Sequence, residues 1–162
     1  MKAVLQRVSE ARVDIDGKTV GKIGRGLMVL VGVGTGDSEK DVEWMVEKVS
    51  MLRIFEDDAG KMNRSLLDTS RAMLAISQFT LFADTRKGRR PSFLDAMAPD
   101  EAKRLYALFC EKSRAAGLTV EEGVFAADMK VALVNDGPVT ICLDSRLPPL
   151  ALSPPARLGS AP

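Results

Sequence analysis

Runs of apolar and β-branched residues along the chain predict a sheet made of several short strands. Residues 2–8 and 11–15 form two such runs, and the turn Asp16-Gly17 leads into a third at 18–23. The stretch 27–31 has no polar position, which indicates a strand covered on both faces. Further strands are predicted at residues 72–82, 118–125 and 129–134.

Two other stretches carry apolar residues at helical spacing. The first spans about residues 37–53, where Asp37 or Ser38 can cap the first turn and Asp41 is placed to close a capping box. The second spans residues 99–115 and opens with a proline, which suits the first turn of a helix. Together these patterns predict an α+β domain, in which two principal amphipathic helices pack on a mostly antiparallel, barrel-like sheet.

A chain of 162 residues is long enough for one domain with its own core, and 46% hydrophobic with 28% charged residues is typical of a soluble globular protein. We expect that domain to occupy residues 1–145. Residues 146–162 are rich in proline and have little to pack, which predicts a disordered tail. With no evident signal peptide or membrane-spanning run, we expect a cytoplasmic protein, with Cys110 and Cys142 as reduced core thiols.

The absence of histidine restricts the chemistry more than any other feature of the composition. Without it the chain can form neither a Ser-His nor a Cys-His nucleophile pair, and it lacks the commonest general base and metal ligand. Two distant cysteines cannot form a zinc site either. We expect no metal and no cofactor. An enzyme of this composition has to use backbone dipoles, a carboxylate or lysine, or its own substrate.

One dense basic patch lies at Arg86, Lys87, Arg89 and Arg90. The 23 basic and 22 acidic side chains leave a formal net charge of only +1, so any contact with nucleic acid must depend on a local patch of this kind. The pattern is compatible both with a solvated loop and with a site for phosphate groups. The aromatic ring of Phe93 close by is typical of the second.

The hexapeptide Asn135-Asp136-Gly137-Pro138-Val139-Thr140 lies between the apolar runs 131–134 and 141–143. Asn-Asp-Gly between two such runs predicts strands that meet at a tight turn. Gly137 can adopt positive φ, whereas Pro138 fixes its own φ and offers no N–H to a ladder. Two interpretations stay open: an ordinary hairpin tip, or a rigid backbone wedge presented to a ligand.

A second hexapeptide, Ser77-Gln78-Phe79-Thr80-Leu81-Phe82, follows the apolar strand 72–76. Together the two hexapeptides resemble the signatures of the D-aminoacyl-tRNA deacylase family, SQ-x-x-LF and N-x-GPVT, in the family's order and at about its separation. The likeness extends to residues 6–8, 90–93 and 125–129. It therefore covers nearly the whole chain up to about residue 143.

The resemblance implies a tRNA-editing hydrolase that cleaves the ester of D-aminoacyl-tRNA with help from the vicinal 2′-hydroxyl of the terminal ribose. Backbone amides near Phe79 and Thr80 would stabilise the developing oxyanion. Ser77 and Gln78 would orient the ribose or hold neighbouring backbone, unless they serve only to pair with adjacent strands. The Thr80 hydroxyl has no histidine to activate it as a nucleophile, which favours hydrogen bonding or packing as its role. The basic patch at 86–90 would bind the tRNA.

The resemblance also implies how L-aminoacyl-tRNA would be rejected. A cis Gly137-Pro138 bond would enter the active site of a second subunit of a homodimer and form a wall against an L side chain. Glycine has no side chain to clash, so glycyl-tRNA, including glycine mischarged on alanine tRNA, would be cleaved. Asn135 belongs to the same substrate-selecting segment, and Arg7 would brace it or form a surface salt bridge. Phe125 and Met129 would line the pocket or pack in the core.

Three other functions stay open. A related editing domain of the same fold, as in archaeal threonyl-tRNA synthetases, would clear an L-amino acid instead. A non-catalytic tRNA- or RNA-binding module would use residues 86–90 and would show salt-dependent binding without ester hydrolysis. A small β-rich assembly protein, in which both hexapeptides serve only as strand and turn, would bind no charged tRNA.

Overall fold

A computed structural model describes residues 1–147 of the chain. Its strands are β1 Lys2–Ile15, β2 Lys18–Ile23, β3 Gly26–Gly32, β4 Phe55–Glu56, β5 Met62–Arg64, β6 Ala72–Ser77, β7 Thr119–Glu122 and β8 Lys130–Asp144. Its helices are α1 Glu39–Met51, α2 Leu66–Thr69 and α3 Pro99–Ala115, with a 3₁₀ helix at Phe79–Phe82 between α2 and α3. The predicted α+β class is confirmed.

The long strand β1 organises the main sheet, which has six strands. Along one edge β1 pairs antiparallel with β3 and then with β2, and along the other edge it pairs antiparallel with β8 over almost its whole length. Beyond β3 the sheet continues with β6 and β7, and both of these pairings are parallel. The sheet is therefore mixed, with antiparallel pairings in the majority.

The sheet curls until β2 approaches β7, which makes it barrel-like. Gly21 in β2 lies at this closure: a Cβ there would stand 2.7 Å from the Glu122 carbonyl oxygen of β7 and 3.2 Å from the Leu74 side chain of β6. Because those distances leave no space for a side chain, glycine allows the two ends of the sheet to come together.

Two apolar clusters fill the two faces of the sheet. The larger packs Leu27 and Val29 of β3 against buried residues of α1 and α3, including Met45 and Phe109. The smaller occupies the interior of the curled sheet, where Met28 of β3 lies with residues of β1, β2 and β6. Alternate residues of β3 thus enter opposite clusters, so the prediction that this strand is covered on both faces is confirmed.

The two principal helices begin as the sequence predicts. Ser38 is the N-cap of α1 and forms a capping box with Asp41, whose carboxylate accepts hydrogen bonds from the Ser38 backbone amide and hydroxyl, both at 2.9 Å. Pro99 is the first residue of α3, and Gly117, with φ of +97°, follows its C-cap. The first helix ends at Met51, two residues before the predicted Arg53.

The sequence places four strand boundaries wrongly. The runs 2–8 and 11–15 belong to the single strand β1, because both continue along β8. The strand predicted at 72–82 ends at Ser77, where a 3₁₀ helix begins, and the one predicted at 118–125 covers only Thr119–Glu122. The runs on either side of Asn135–Thr140 do not form a hairpin, since β8 passes through both without reversing direction.

Of the two predicted core thiols, Cys110 is buried, but Cys142 is exposed because its side chain lies on the outer face of β8.

Arg146 also differs from the prediction of a tail that starts there. Its guanidinium contacts the Asp37 carboxylate at 3.2 Å and the Thr35 carbonyl at 3.1 Å. Residues 148–162 of the predicted tail lie outside the described residues. No helix of the described part is long and apolar enough to cross a membrane.

Candidate active site

A cavity of about 480 Å³ opens at the carboxyl end of β6. This volume is in the range of small-ligand pockets. Its walls come from β3 and β6, from the first turns of α3 and from the segment 125–129. Of the residues predicted for the site, the cavity brings five together: Ser77, Gln78, Phe79, Phe125 and Met129.

The backbone turns sharply at this end of β6. The Gln78 amide donates to the Val31 carbonyl at 2.8 Å, and the chain then enters the 3₁₀ helix that carries Phe79 and Thr80. Gly32 allows the close approach, because a Cβ on it would lie 2.9 Å from the Gln78 carbonyl oxygen. The amides in the first turn of a helix have no carbonyl partner within it, so this turn presents N–H donors beside the cavity.

Thr80 is exposed and does not line the cavity. Its hydroxyl accepts a hydrogen bond from the side-chain amide of Gln78. A carboxamide cannot remove a proton from a hydroxyl, so this contact orients Thr80 without activating it.

Phe82 anchors the 3₁₀ helix to the rest of the fold, since its side chain is buried. The Lys2 ammonium lies 4.9 Å and the Arg146 guanidinium 4.8 Å from the centre of its ring. These cation–π contacts connect both ends of the described chain to the turn that carries Phe79.

On the opposite side, Met129 and Phe125 close the cavity. Met129 packs closely over Gly123: a Cβ on Gly123 would lie 2.6 Å from the Met129 sulfur, so only glycine fits there. Phe125 packs against Tyr106 of α3, with ring centroids 6.1 Å apart. The Tyr106 hydroxyl donates to the Ala75 carbonyl of β6 at 2.9 Å, and burial raises the pKa of Tyr106 well above its ordinary value. Tyr106 therefore lines the pocket as a neutral group.

Sequence reasoning missed the contribution of α3. Pro99, Ala102 and Tyr106 all line the cavity and lie on one face of this helix, at spacings of three and four residues. The same spacing is typical of a face packed in a core, so the sequence offers no signal that separates the two roles.

Residues 135–140, here called the Gly-Pro loop, bulge out of β8. Val8 of β1 pairs with Asn135 and Gln6 pairs with Thr140, so four residues of β8 stand opposite the single residue Arg7. The Gly137-Pro138 peptide bond is cis, and both residues are exposed. The loop does not line the cavity of its own chain.

Two side chains hold the Gly-Pro loop in shape. Arg7 is only 8% exposed, and it donates from Nε to the Asp136 carbonyl at 2.8 Å and from Nη1 to the Ile54 carbonyl at 2.7 Å. Asn135 accepts from the Val139 amide at 2.8 Å and donates to the Gln6 side chain at 3.0 Å. The loop is therefore exposed but fixed on both sides by hydrogen bonds.

The basic patch forms a closed loop, residues 85–91, here called the basic loop. Asp84 and Ser92 join its ends through two backbone hydrogen bonds of 2.7 and 2.9 Å. Arg86 is bound by the Asp84 carboxylate at 2.8 Å, and these hydrogen bonds hold the pKa of Asp84 well below its usual range. Lys87, Arg89 and Arg90 are exposed, and no ion pair within residues 1–147 involves them.

The described residues contain no cluster of three or more cysteine, aspartate or glutamate side chains that could hold a metal ion. Among residues 1–147, Asp128 and Tyr106 are the titratable residues along the cavity wall. The Asp128 carboxylate pairs with the Lys130 ammonium at 3.2 Å, and both side chains are exposed to solvent. Tyr106 is buried and neutral. Tyr106 therefore cannot act as a base in its neutral form, and Asp128 is the carboxylate that the described cavity wall offers.

A scan against protein-family models matches residues 4–144 to the D-Tyr-tRNA(Tyr) deacylase family. The chain belongs to this family. The resemblance seen in the two hexapeptides is thereby confirmed over almost all of the described chain.

Similar curated proteins carry a consistent name. The chain is 64% identical to the D-aminoacyl-tRNA deacylase of Myxococcus xanthus over 145 residues, which is 90% of this chain and 95% of that protein. It is 60% identical to the D-aminoacyl-tRNA deacylase of Geobacter sulfurreducens over 146 residues, 90% of this chain and 96% of that one. The chain is thus an ester hydrolase of the D-aminoacyl-tRNA deacylase family, and aminoacyl-tRNA is its class of substrate.

Solved structures share the fold. One described as c-Myc DNA Unwinding Element Binding Protein superposes with a TM-score of 0.85 at 42% identity, over 89% of this chain and 98% of that one. Another, described as a probable eukaryotic D-amino acid tRNA deacylase, has a TM-score of 0.74 at 20% identity, over 88% of this chain and 97% of that one. At that identity the second match shows the deacylase fold alone.

Proposed function

We propose that this deacylase edits tRNA in the cytoplasm by hydrolysing the ester of D-aminoacyl-tRNA to free amino acid and tRNA. It also cleaves glycyl-tRNA, including glycine mischarged on alanine tRNA, and it rejects L-aminoacyl-tRNA. The observation that carries the proposal is the cavity at the end of β6, where Ser77, Gln78 and Phe79 lie together on a wall that, among the described residues, includes no cysteine or lysine.

Catalysis in this proposal uses the substrate's own hydroxyl group. The vicinal 2′-hydroxyl of the terminal adenosine assists attack on the ester, and the amides of Phe79 and Thr80 donate to the oxyanion that develops. Ser77 and Gln78 orient the ribose. Support comes from the 3₁₀ turn, where Phe79 and Thr80 are exposed at its first two positions, and from the lack of histidine in the whole chain.

This mechanism predicts that a backbone change matters more than loss of the threonine side chain. Thr80→Ala should retain much of its activity, whereas Phe79→Pro, which removes one amide donor, should lower kcat about 100- to 1,000-fold. Proline suits this position, because Phe79 is the first residue of its helix and Gln78, with φ of -145° and ψ of 84°, lies outside the α region that a following proline disfavours.

Phe79→Ala is the matched control, since it removes the ring but keeps the N–H. Steady-state kinetics on D-tyrosyl-tRNA measure kcat, and thermal melting checks that each variant is folded. Loss of activity in Thr80→Ala to the uncatalysed rate would instead show nucleophilic catalysis by the protein.

Chiral selection in this proposal comes from the Gly-Pro loop of a second subunit in a homodimer. Gly137 and Pro138 are exposed and lie outside their own chain's cavity, so they are available to another copy. Contacts from Arg7 and Asn135 keep the loop rigid. A rigid wall rejects an L side chain by steric clash, and it accepts a D residue or glycine because hydrogen occupies that direction.

The basic loop binds tRNA phosphates in this proposal. Lys87, Arg89 and Arg90 are available for this, while Arg86 is largely occupied by Asp84. Arg89→Ala is expected to weaken tRNA binding and to reduce the slope of log K against log salt by about 0.7–0.9, which corresponds to one lost phosphate contact.

Arg104→Ala on α3 is the matched control, because it removes the same charge from a site where Glu39 and Glu101 already bind the guanidinium. Its salt slope should equal that of the wild-type protein. Equal slopes in the Arg89→Ala and wild-type titrations would remove the basic loop from tRNA recognition.

A panel of charged tRNAs tests the proposed function directly. D-tyrosyl-, L-tyrosyl- and glycyl-tRNA are each offered to the enzyme, and D-tyrosyl-tRNA with a 2′-deoxy terminal adenosine is the fourth substrate. We expect rapid cleavage of D-tyrosyl-tRNA and glycyl-tRNA. We expect little cleavage of L-tyrosyl-tRNA or of the 2′-deoxy substrate. Equal cleavage of both tyrosine enantiomers would indicate an editing enzyme without chiral selection.

A further inference from the structure

Two aromatic rings stand exposed between the basic loop and the cavity. Phe79 is 58% and Phe93 is 37% exposed, and their centroids lie 5.1 Å apart with an angle of 68° between the planes. This edge-to-face geometry holds one ring against the other and leaves part of each ring open to solvent. Two adjacent exposed rings offer a flat apolar surface on which another ring can stack.

The backbone around Phe93 is fixed on both sides. Ser92, the preceding residue, is hydrogen-bonded to Asp84 at the closure of the basic loop. After Phe93, the Ala96 amide donates to the Phe93 carbonyl at 3.0 Å, and the Thr35 amide donates to the Asp95 carbonyl at 2.9 Å. The ring is thus presented from an ordered segment, separated from the basic loop by the single residue Ser92.

The order of features along this surface corresponds to a single strand of RNA. Lys87, Arg89 and Arg90 offer positive charge without an ion-pair partner among the described residues, Phe93 offers a ring, and Phe79 lies at the cavity. Proteins that bind single-stranded nucleic acid combine cations along the backbone with aromatic rings on which bases stack. An acidic peptide would complement the charges, but it would leave the rings unused.

We propose that Phe93, braced by Phe79, is a stacking platform for an unpaired base near the 3′ end of the tRNA, next to the adenosine that enters the cavity. The phosphates on either side of that base face the basic loop. This inference rests on the proposed function, and it adds a recognition element outside the catalytic turn.

The test compares a long and a short substrate. D-Tyrosyl-tRNA reaches the platform, whereas D-tyrosyl-adenosine ends inside the cavity. For Phe93→Ala, the ratio of kcat/KM on D-tyrosyl-tRNA to kcat/KM on D-tyrosyl-adenosine should fall by about tenfold or more, and Phe93→Tyr should restore it. Leu94→Ala is the matched control, because Leu94 is the adjacent residue, 90% exposed, and should not alter the ratio.

Two results would overturn the platform. An unchanged ratio in Phe93→Ala would show that no base stacks there, and an equal loss on both substrates would show that Phe93 only positions Phe79. If the wild-type enzyme cleaves neither substrate, the proposed function fails, and binding of uncharged tRNA still decides the platform. Phe93→Ala should then weaken binding of intact tRNA but not of tRNA trimmed of its unpaired 3′ nucleotides, and equal effects on both would reject it.

Discussion

Gly137→Ala is expected to lower kcat/KM for D-aminoacyl-tRNA by about 100-fold or more while the protein stays folded. Gly137 has φ of +148°, which L residues rarely adopt. A Cβ there would lie 2.7 Å from Cγ2 and 3.0 Å from the amide nitrogen of Val139, and 3.1 Å from the Arg7 guanidinium. The loop therefore has to shift, and the wall that it presents to the substrate shifts with it.

The strain of placing an alanine at positive φ needs its own control variant. Gly60 in the turn between β4 and β5 has φ of +74°, and a Cβ on it would meet nothing within 4 Å. Gly60→Ala thus imposes strain of about 1–3 kcal/mol without disturbing the Gly-Pro loop. Steady-state kinetics on D- and L-tyrosyl-tRNA, with thermal melting, compare the two variants. Wild-type kinetics on both enantiomers in Gly137→Ala would exclude the loop from the mechanism.

Mixed oligomers separate a loop that acts on its own chain from one that acts on a partner. A Phe79→Pro subunit has a damaged turn but an intact loop, and a Gly137→Ala subunit has the reverse. If the loop acts across the interface, random mixing of the two inactive variants restores about a quarter of the wild-type activity, because half of the dimers contain one complete site. No recovery in verified mixed dimers would place the loop's action within one chain.

The sequence predicts the helices and the fully buried strand well because their signals are local. The capping box at Ser38 and Asp41 and the proline that opens α3 act within a single turn of helix. The bulge in β8 is different. Asn-Asp-Gly has the composition of a hairpin turn, but the direction of the chain depends on the partner of each half, and both halves pair with β1.

The candidate site was predictable only where its motif is local. Ser77, Gln78 and Phe79 come together because they are consecutive, and the apolar character of Leu81 and Phe82 suggested that the strand simply continued. The 3₁₀ helix at Phe79–Phe82 instead depends on groups that are distant in sequence. The Val31 carbonyl accepts from the Gln78 amide just after β6, and the cations of Lys2 and Arg146 contact the Phe82 ring. Helix α3 lines the cavity because Tyr106 packs on β6. This is a tertiary contact that the spacing of residues along the chain does not predict.

Arg7→Ala is expected to be the most damaging single change to a side chain near the Gly-Pro loop. The guanidinium of Arg7 is buried and donates to two carbonyls, those of Asp136 and Ile54, from separate parts of the fold. Alanine leaves both acceptors without this donor and opens a cavity behind the loop. We expect the free energy of unfolding to fall by about 3 kcal/mol, with kcat/KM on D-tyrosyl-tRNA reduced about tenfold or more.

Arg12→Ala is the matched control for this change, since Arg12 lies on the same strand with a half-exposed side chain that pairs with Asp14 at 3.1 Å. Its loss should cost less than about 1 kcal/mol, because an exposed ion pair gains little in water. Arg7→Lys is expected to be intermediate, as one ammonium cannot reproduce the planar fork that reaches both carbonyls. Urea denaturation measures stability and steady-state kinetics measure activity. If Arg7→Ala matched Arg12→Ala in both, the Gly-Pro loop would owe its rigidity to Asn135 and the β8 backbone, and Arg7 would have no part in selection.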